Sequence, residues 1–197
     1  MINVYFIRHG KTQWNHEKKL QGRTNIPLNA EGREQISGYQ LPLKMQHLSW
    51  FSSPLSRARE TAEILGVNAA TENHLIEMNW GTWEAKQLQQ LQTSDPVGFA
   101  NMEAKGIDLM PPEGESPRLV GERVTQWLEQ LEALGGEQQL GCVSHKGVIR
   151  AVYALAAQWD MLSKAPDKLD YHCAQHFCYS AGKWTVGELN IALRPDL

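Results

Sequence analysis

Apolar runs of strand length alternate along the chain with amphipathic segments of helix length. The runs rich in β-branched and aromatic residues cover positions 2–7, 48–52, 140–144, 174–179 and 183–189. The last two are joined by Ser180-Ala181-Gly182, which is a hairpin turn signal. The other runs are separated by segments with helical spacing. This alternation predicts an α/β fold, a sandwich with a largely parallel central sheet.

Capping residues predict where several helices begin and end. Asn29 is a good N-cap for the helical pattern that follows it. The pair Ser53-Pro54 predicts a second helix that continues to Leu65, with Gly66 at its end. The other helical patterns cover 84–91, 96–105, a long amphipathic stretch from 116 or 117 to Gly135-Gly136, and 148–158. Irregular structure is expected at 73–83 and 106–117.

The composition is ordinary for a globular protein of one domain. The chain has 197 residues, 21% of them charged, and a net charge of −3, so no nucleic-acid footprint is indicated. No apolar run approaches the ~20 residues of a membrane span, and no leader precedes the first strand. Cys142, Cys173 and Cys178 fit no disulfide framework. We therefore expect a single cytoplasmic domain over 1–197, with a helical insertion at about 73–115.

Polar, reactive residues follow two of the predicted strands. Arg8-His9-Gly10 ends the first strand, and His145-Lys146-Gly147 ends the strand over 140–144. Ligands bind at the carboxyl edge of open α/β sheets, where parallel strands bring such groups together. Arg57 would join them from the start of a helix, and Glu77 from an irregular segment. This set suits phosphoryl transfer, which needs cations, a nucleophile and a proton donor. Polar loops and a surface arginine are the alternative interpretation.

Five sequence blocks together resemble the histidine phosphatase superfamily, in its phosphoglycerate-mutase-like group. The first contains Arg8-His9-Gly10-Lys11-Thr12, which is similar to the family's Arg-His-Gly signature. The blocks lie in the family's order at 7–15, 22–29, 53–62, 77–84 and 143–150, and cover most of the chain. The resemblance implies a three-layer α/β/α sandwich with a mostly parallel central sheet, and a covalent phosphatase mechanism.

The resemblance also implies roles for the residues that match these motifs. His9 would be the nucleophile and become phosphohistidine, while Arg8, Arg57 and His145 would hold the phosphoryl oxygens. Glu77 would protonate the leaving alkoxide and then accept a proton from the attacking water. Further phosphate- or substrate-binding residues would be Asn15, Gln21, Gly22, Thr24 and Lys146. No metal and no cofactor is implied.

Three details of these blocks leave a choice open. Arg57 is preferred to Arg59 because it precedes the alanine of the matching block, and Arg59 is expected at the surface. Trp80 and Trp83 would either wall the substrate or pack the insertion onto the sheet. The run 172–178 contains two histidines and two cysteines, but its spacing fits no common zinc pattern, so packing is favoured there.

Three positions depart from the usual family pattern and make the local charge more positive: Lys11, Asn25 and Lys146. We therefore hypothesise a cationic pocket that prefers a substrate with negative charge beyond one phosphate. The alternative is that the two lysines extend into solvent at the rim of the pocket.

Within the family, the compact chain favours hydrolysis, because the mutases that resemble it carry extra segments that shield the phosphohistidine. The loop 111–116 resembles one in short bacterial phosphatases, including α-ribazole-5′-phosphate phosphatases of cobalamin synthesis, so that ester is the leading candidate substrate. A phosphoglycerate mutase and another sugar-phosphate phosphatase are alternatives. An inactive phospho-ligand-binding module is disfavoured because nucleophile and acid are both present. The expected partner is a small phosphorylated metabolite, and exposed aromatic surface leaves a homodimer open.

Overall fold

Six strands form one mixed sheet in the computed structural model, which describes residues 1–193. They are β1 (Ile2–Arg8), β2 (Ser49–Ser52), β3 (Ala69–Thr71), β4 (Gln138–Ser144), β5 (Gln175–Ser180) and β6 (Lys183–Val186). Their spatial order is β3-β2-β4-β1-β5-β6. The first four in this order are parallel, and β5 and β6 add to β1 as an antiparallel hairpin. The predicted sheet, mostly parallel with a hairpin at one edge, is confirmed.

The described residues also form seven α-helices and four single 3₁₀ turns. The helices are α1 (Gln13–His16), α2 (Ala30–Ser37), α3 (Ser56–Ile64), α4 (Leu88–Ser94), α5 (Pro96–Glu103), α6 (Pro117–Glu132) and α7 (Lys146–Ala156). The turns are Leu43–Met45, Asn73–Leu75, Gly81–Trp83 and Gly106–Asp108. Asn29 caps α2 through its side chain, as predicted. The helix expected from 116 or 117 begins at Pro117, and the side chain of Ser116 caps it. Within 1–193, none of the helices has the length and apolar character needed to cross a membrane.

Side-chain alternation along β1 explains the layers of the fold. Val4 and Phe6 point to one face, where they pack with residues of α6 and α7. Tyr5 and Ile7 point to the other face, where they pack with residues of α2 and α3. Because both faces are covered by helices, β1 reads as one continuous apolar run. The predicted three-layer α/β/α sandwich is confirmed.

A smaller apolar cluster lies apart from the sheet, in the region of α4 and α5. Trp83, Leu91 and Phe99 pack together there, and the rings of Trp83 and Phe99 stack with their centroids 5.5 Å apart. The cluster gives this helical segment its own anchor. The organisation of 1–197 as one domain with an insertion at about 73–115 stays a prediction.

The predicted start of α3 was wrong. The helix begins at Ser56, with Leu55 at the N-cap position and no side-chain cap, rather than at Pro54. The Ser53 hydroxyl has another partner, because its Oγ lies 2.7 Å from Nε2 of His145. Gly66 does follow the end of α3, with a φ of +72° that favours glycine.

Two other elements differ from the sequence prediction. The helix expected from position 84 begins at Leu88, because Ala85 has a φ of +65°, which is incompatible with a right-handed helix. Strand β3 was not predicted, since its three residues, two of them alanine, carry no strand pattern of their own.

The run 172–178 lies mostly in β5, and its side chains have other partners. Nε2 of His176 lies 2.9 Å from Oδ1 of Asn3 on the neighbouring strand. Over residues 1–193, no group of three or more His, Cys, Asp and Glu side chains is placed to hold a metal ion. All three cysteines are unpaired.

Candidate active site

The two histidines that end parallel strands meet at the carboxyl edge of the sheet. Arg8 is opposite Ser144 in the register of β1 and β4, and the amide of His9 donates to the carbonyl of Ser144 at 2.9 Å. The ring centroids of His9 and His145 are 5.1 Å apart, with the rings tilted by 59°. The parallel topology thus joins residues from opposite ends of the sequence.

The His9 ring is held in the state that a nucleophile needs. Its Nδ1 lies 2.7 Å from the carbonyl of Gly10. A carbonyl only accepts, so Nδ1 carries the proton and Nε2 keeps a free lone pair. Burial lowers the pKa of His9 well below its usual value, and the charges of Arg8 and Arg57 lower it further. The imidazole is therefore neutral and lines the cleft.

The His145 ring is fixed at both nitrogens. Nε of Arg57 donates to Nδ1 of His145 at 3.3 Å, since a guanidinium only donates. Nε2 of His145 must then carry the proton, and it donates to Oγ of Ser53 at 2.7 Å. Burial and the charge of Arg57 lower the pKa of His145 well below its usual value. His145 is thus neutral, with one defined tautomer.

Arg57 is a fully buried cation at the first turn of α3. Its terminal nitrogens donate to the carbonyls of Gly22 and Thr24, at 2.7 and 3.0 Å. Burial lowers the pKa of Arg57 to about 10, with the charge of Glu77 opposing the shift. Gly22 and Thr24, predicted as phosphate-binding residues, are placed by their carbonyls to hold this guanidinium. Arg59 is exposed, as expected.

One nitrogen of the Arg8 guanidinium has no polar partner within the described part of the chain. Its buried Nε has no hydrogen bond in residues 1–193, and its guanidinium lies 5.9 Å from the ring centroid of Tyr171. Burial lowers the pKa of Arg8, while the charge of Glu77 opposes the shift. A buried donor of this kind is normally satisfied, so the site is prepared for an anion.

Glu77 faces the histidines from the irregular segment after β3 and is 5% exposed. Its Oε1 accepts from the amide of Met78 at 2.8 Å, and its Oε2 accepts from the amide of Gly147 at 3.2 Å. Burial raises the pKa of Glu77, against these hydrogen bonds and the charge of Arg57. The carboxyl group is therefore suited to hold a proton that it can later donate.

An ion-pair network that the sequence analysis missed holds the Glu77 segment in place. Arg123 of α6 donates to the carbonyl of Ile76 at 2.6 Å and to that of His74. Nε of Arg123 also donates to Oε1 of Glu115 at 2.9 Å, with both side chains only 14% exposed. The only sequence signal was a pair of opposite charges eight residues apart.

The cleft beside these groups has a volume of about 490 Å³. Of the predicted site residues, those that line it are Arg8, His9, Asn15, Gln21, Glu77 and Lys146. Arg57 and His145 lie behind them and are fully buried. Trp80, Trp83, Phe99 and Leu20 form an apolar wall. Trp83 lines the cleft and stacks on Phe99 within the insertion, rather than packing the insertion onto the sheet.

Asn15 and Gln21 are linked to each other through Thr12. Oδ1 of Asn15 accepts from the Thr12 amide at 3.0 Å, as part of the capping box that starts α1. The Gln21 amide group contacts the Thr12 hydroxyl, and Thr12 is fully buried. The structure thus fixes both side chains at the edge of the cleft.

The three departures from the family pattern, Lys11, Asn25 and Lys146, lie in different surroundings. The amine of Lys11 pairs with Glu31 at the surface, away from the cleft. Oδ1 of Asn25 accepts from the amide of Ser56 at 2.8 Å. Lys146 lines the cleft, and its Nζ lies 5.3 Å from the ring centroid of Tyr171. Only Lys146 is placed as the hypothesis of a cationic pocket requires.

Comparisons with known proteins agree with this geometry. The model of the histidine phosphatase superfamily (branch 1) matches residues 4–192. Probable phosphoglycerate mutase GpmB of Escherichia coli O1:K1 / APEC is 33% identical over 152 residues, which cover 74% of this chain and 70% of that protein. The structure of TTHB049 from Thermus thermophilus has a TM-score of 0.71 at 28% identity, covering 96% of this chain and 99% of that chain. Mycobacterial glucosyl-3-phosphoglycerate phosphatase has the same fold, with a TM-score of 0.78 at 24% identity and coverage of 96% and 99%.

Proposed function

Because the chain belongs to the histidine phosphatase superfamily, branch 1, we propose that it hydrolyses a small phosphomonoester through a phosphohistidine intermediate. The observation that carries the proposal is the pairing of His9 and Glu77 in one cleft. Nε2 of His9 is unprotonated, and the raised pKa of Glu77 favours its protonated form. These are the two opposite protonation states that covalent phosphoryl transfer needs.

In the first step, the lone pair of His9 Nε2 attacks phosphorus and the bond to the leaving oxygen breaks. The proton of Glu77 moves to that oxygen, so an alcohol leaves and Glu77 becomes a carboxylate. In the second step, Glu77 takes a proton from water as the water oxygen attacks phosphorus. The N–P bond then breaks, inorganic phosphate leaves, and both residues return to their starting states.

Charge on the transferring phosphoryl group is stabilised by side chains that are already in place. Arg8 lines the cleft, where its guanidinium would meet the phosphoryl oxygens, and Arg57 and His145 lie behind His9. Because Arg57 is held by two carbonyls, little reorganisation is needed during the reaction. Asn15, Gln21 and Lys146 complete the binding surface at the cleft edge. With these cations in place, we expect turnover without a metal ion.

The apolar wall favours substrates with a planar or apolar body. Trp80, Trp83 and Phe99 would contact such a body once the phosphoryl group lies at His9. α-Ribazole 5′-phosphate, with its aromatic base, fits this description and is our named candidate, which would place the enzyme in cobalamin synthesis. Its unpaired cysteines agree with a reducing compartment such as the cytoplasm.

The test is phosphate release from a panel of phosphomonoesters with EDTA present, comparing wild type with His9→Ala. The panel contains α-ribazole 5′-phosphate, 3-phosphoglycerate and several sugar phosphates. We expect release that survives the chelator and is lost in His9→Ala, together with acid-labile ³²P on the wild-type protein. Interconversion of 3- and 2-phosphoglycerate without release would show a mutase instead. Binding without either reaction would show a binding module.

A further inference from the structure

A second cavity, of about 400 Å³, opens beside the catalytic cleft. It lies between α7 and the segment that follows it, and its aromatic walls are Tyr153, Trp159 and Tyr171. The two cavities share Lys146, Arg150 and Met161, which line both of them. The two cavities are therefore adjacent, with these three side chains at their common boundary.

Basic side chains concentrate around this pair of cavities, although the whole chain has a net charge of −3. The second cavity is lined by Lys146, Arg150, Lys164 and Lys168 against a single carboxylate, that of Asp167. Asp167 already accepts a hydrogen bond from the Tyr153 hydroxyl at 3.0 Å. The local charge is thus opposite in sign to that of the molecule, which favours an anionic ligand.

Within residues 1–193, none of these four cations forms an ion pair with a carboxylate. Lys146 and Arg150 instead lie over aromatic rings, Lys146 over Tyr171 at 5.3 Å and Arg150 over Trp159 at 5.2 Å. A cation held on a ring keeps its hydrogen-bond donors free for another ligand.

Tyr171 connects this cavity to the phosphoryl site. Arg8, which has the unpartnered Nε, lies over the same ring at 5.9 Å. The cations of the second cavity therefore begin one aromatic ring away from a residue that we place on the phosphoryl group. Two negative groups of one molecule could thus be bound on either side of Tyr171, with Arg8 nearest one group and Lys146 nearest the other.

We propose that the second cavity binds a second anionic group, a carboxylate or phosphate, at the far end of the substrate. Lys146 and Arg150 would contact this group at the boundary with the cleft, and the exposed Lys164 and Lys168 would contact it from the other side chains that line the cavity. The proposal rests on the proposed phosphatase activity and narrows its substrate class. It favours phosphoesters that carry a second anionic group. α-Ribazole 5′-phosphate, the candidate named above from the apolar wall, lacks such a group, so the comparison below also decides between these two kinds of substrate.

The test compares two esters that differ in one group at the far end. 6-Phosphogluconate ends in a carboxylate, whereas glucitol 6-phosphate ends in a hydroxymethyl group. The ratio of their kcat/KM values is measured for wild type, Arg150→Gln and Lys164→Gln/Lys168→Gln. Arg59→Gln is the matched control, because it removes an exposed cation that lines neither cavity.

We expect wild type to prefer 6-phosphogluconate by about tenfold, equivalent to ~1.4 kcal/mol. Arg150→Gln and the double lysine variant should each bring the ratio close to one, and Arg59→Gln should leave it unchanged. The same kcat/KM ratio in all four proteins overturns this proposal but leaves the proposed phosphatase activity standing. Absence of release from both esters and from the wider panel would instead refute the proposed function.

A free anion that acts as an effector is the competing use of this cavity. It predicts that gluconate or sulfate alters kcat/KM for glucitol 6-phosphate in wild type but not in the double lysine variant, with no preference between the two esters. That result would overturn the substrate proposal. Competitive inhibition by gluconate, weakened in the double lysine variant and coupled to a preference for 6-phosphogluconate, supports it.

Discussion

Oγ of Ser53 lies 2.7 Å from Nε2 of His145 and accepts a hydrogen bond from the proton that this ring nitrogen carries. Arg57 occupies the other ring nitrogen. The hydroxyl that the sequence assigns to a helix cap is thus a support for His145. We expect its removal to allow the ring to change orientation and to weaken its contact with Arg57.

Ser53→Ala should lower kcat by about fivefold, since one buried hydrogen bond is worth ~1 kcal/mol. It should also shift the pH profile of kcat, which loss of stability alone would not do. Ser56→Ala is the matched control, because the buried hydroxyl of Ser56 has no hydrogen-bond partner in residues 1–193. Equal behaviour of the two variants would show that Ser53 has no positioning role.

The pH dependence of phosphoenzyme formation should follow His9 and Glu77. His9 must be neutral to attack phosphorus. Because its pKa is lowered, it stays neutral at pH values below about 6.5, where an ordinary histidine takes up a proton. Glu77 must be protonated, and its raised pKa extends that state above the usual range of a carboxyl group. Rapid-quench measurements should therefore give a bell-shaped profile whose alkaline limb disappears in Glu77→Gln.

Glu77→Gln should also discriminate between leaving groups. An alkyl phosphate needs the proton of Glu77, so its phosphorylation should slow by roughly 10²–10⁴-fold. p-Nitrophenyl phosphate has a leaving group that departs without a proton, so its burst of nitrophenol should slow much less. Equal slowing for both esters would show that Glu77 is not the general acid.

Gly147→Ala should displace the carboxyl group of Glu77. A Cβ atom at this position would lie 2.3 Å from Oε1 of Glu77, which is closer than packing allows. A misplacement of this size in the active site can lower activity by about 10²-fold, and we expect that loss in kcat/KM. Gly38→Ala is the control, because the nearest atom to its Cβ is 3.5 Å away. Full activity of Gly147→Ala would mean that Glu77 need not stay where it lies.

Acid should destabilise the protein through its two buried histidines. The folded-state pKa of His145 is lowered, so above about 6.5 neither the folded nor the unfolded state binds a proton there. Below that pH the unfolded chain binds a proton that the folded protein excludes, so the free energy of unfolding falls by ~1.4 kcal/mol per pH unit for each such group. Urea unfolding between pH 7.5 and 5.5 should show a smaller decline in His145→Asn. His47→Asn, which removes an exposed histidine, is the control and should show the same decline as wild type.

The sequence predicted the residues whose position follows from sheet topology. His9 and His145 end adjacent parallel strands, so their proximity follows from the order of the strands. Arg57 was predicted from its helix and motif, although its burial on the carbonyls of Gly22 and Thr24 was not. A backbone carbonyl has no signature in sequence, because every residue carries one.

Sequence patterns did not predict the contacts by which distant residues hold the site in place. Ser53 looks like a cap because Ser-Pro has the same letters whether the hydroxyl caps a helix or binds a histidine. Arg123 and Glu115 read as ordinary surface charges, and only the packing of α6 against the Glu77 segment buries them. Tyr171 lies in a stretch without periodicity, so its place beside Arg8 required the structure.

The unpartnered Nε of Arg8 also links occupancy of the site to folding. A buried donor without an acceptor lowers the stability of the empty protein. Because the site exists only in the folded protein, an anion that satisfies this donor stabilises the folded state. Saturation with inorganic phosphate at 100 times its dissociation constant would then add about 2.7 kcal/mol to the free energy of unfolding. In a cell, the concentration of the reaction product would therefore also affect how long the protein resists heat and proteolysis, through the same Arg8 side chain that binds the substrate.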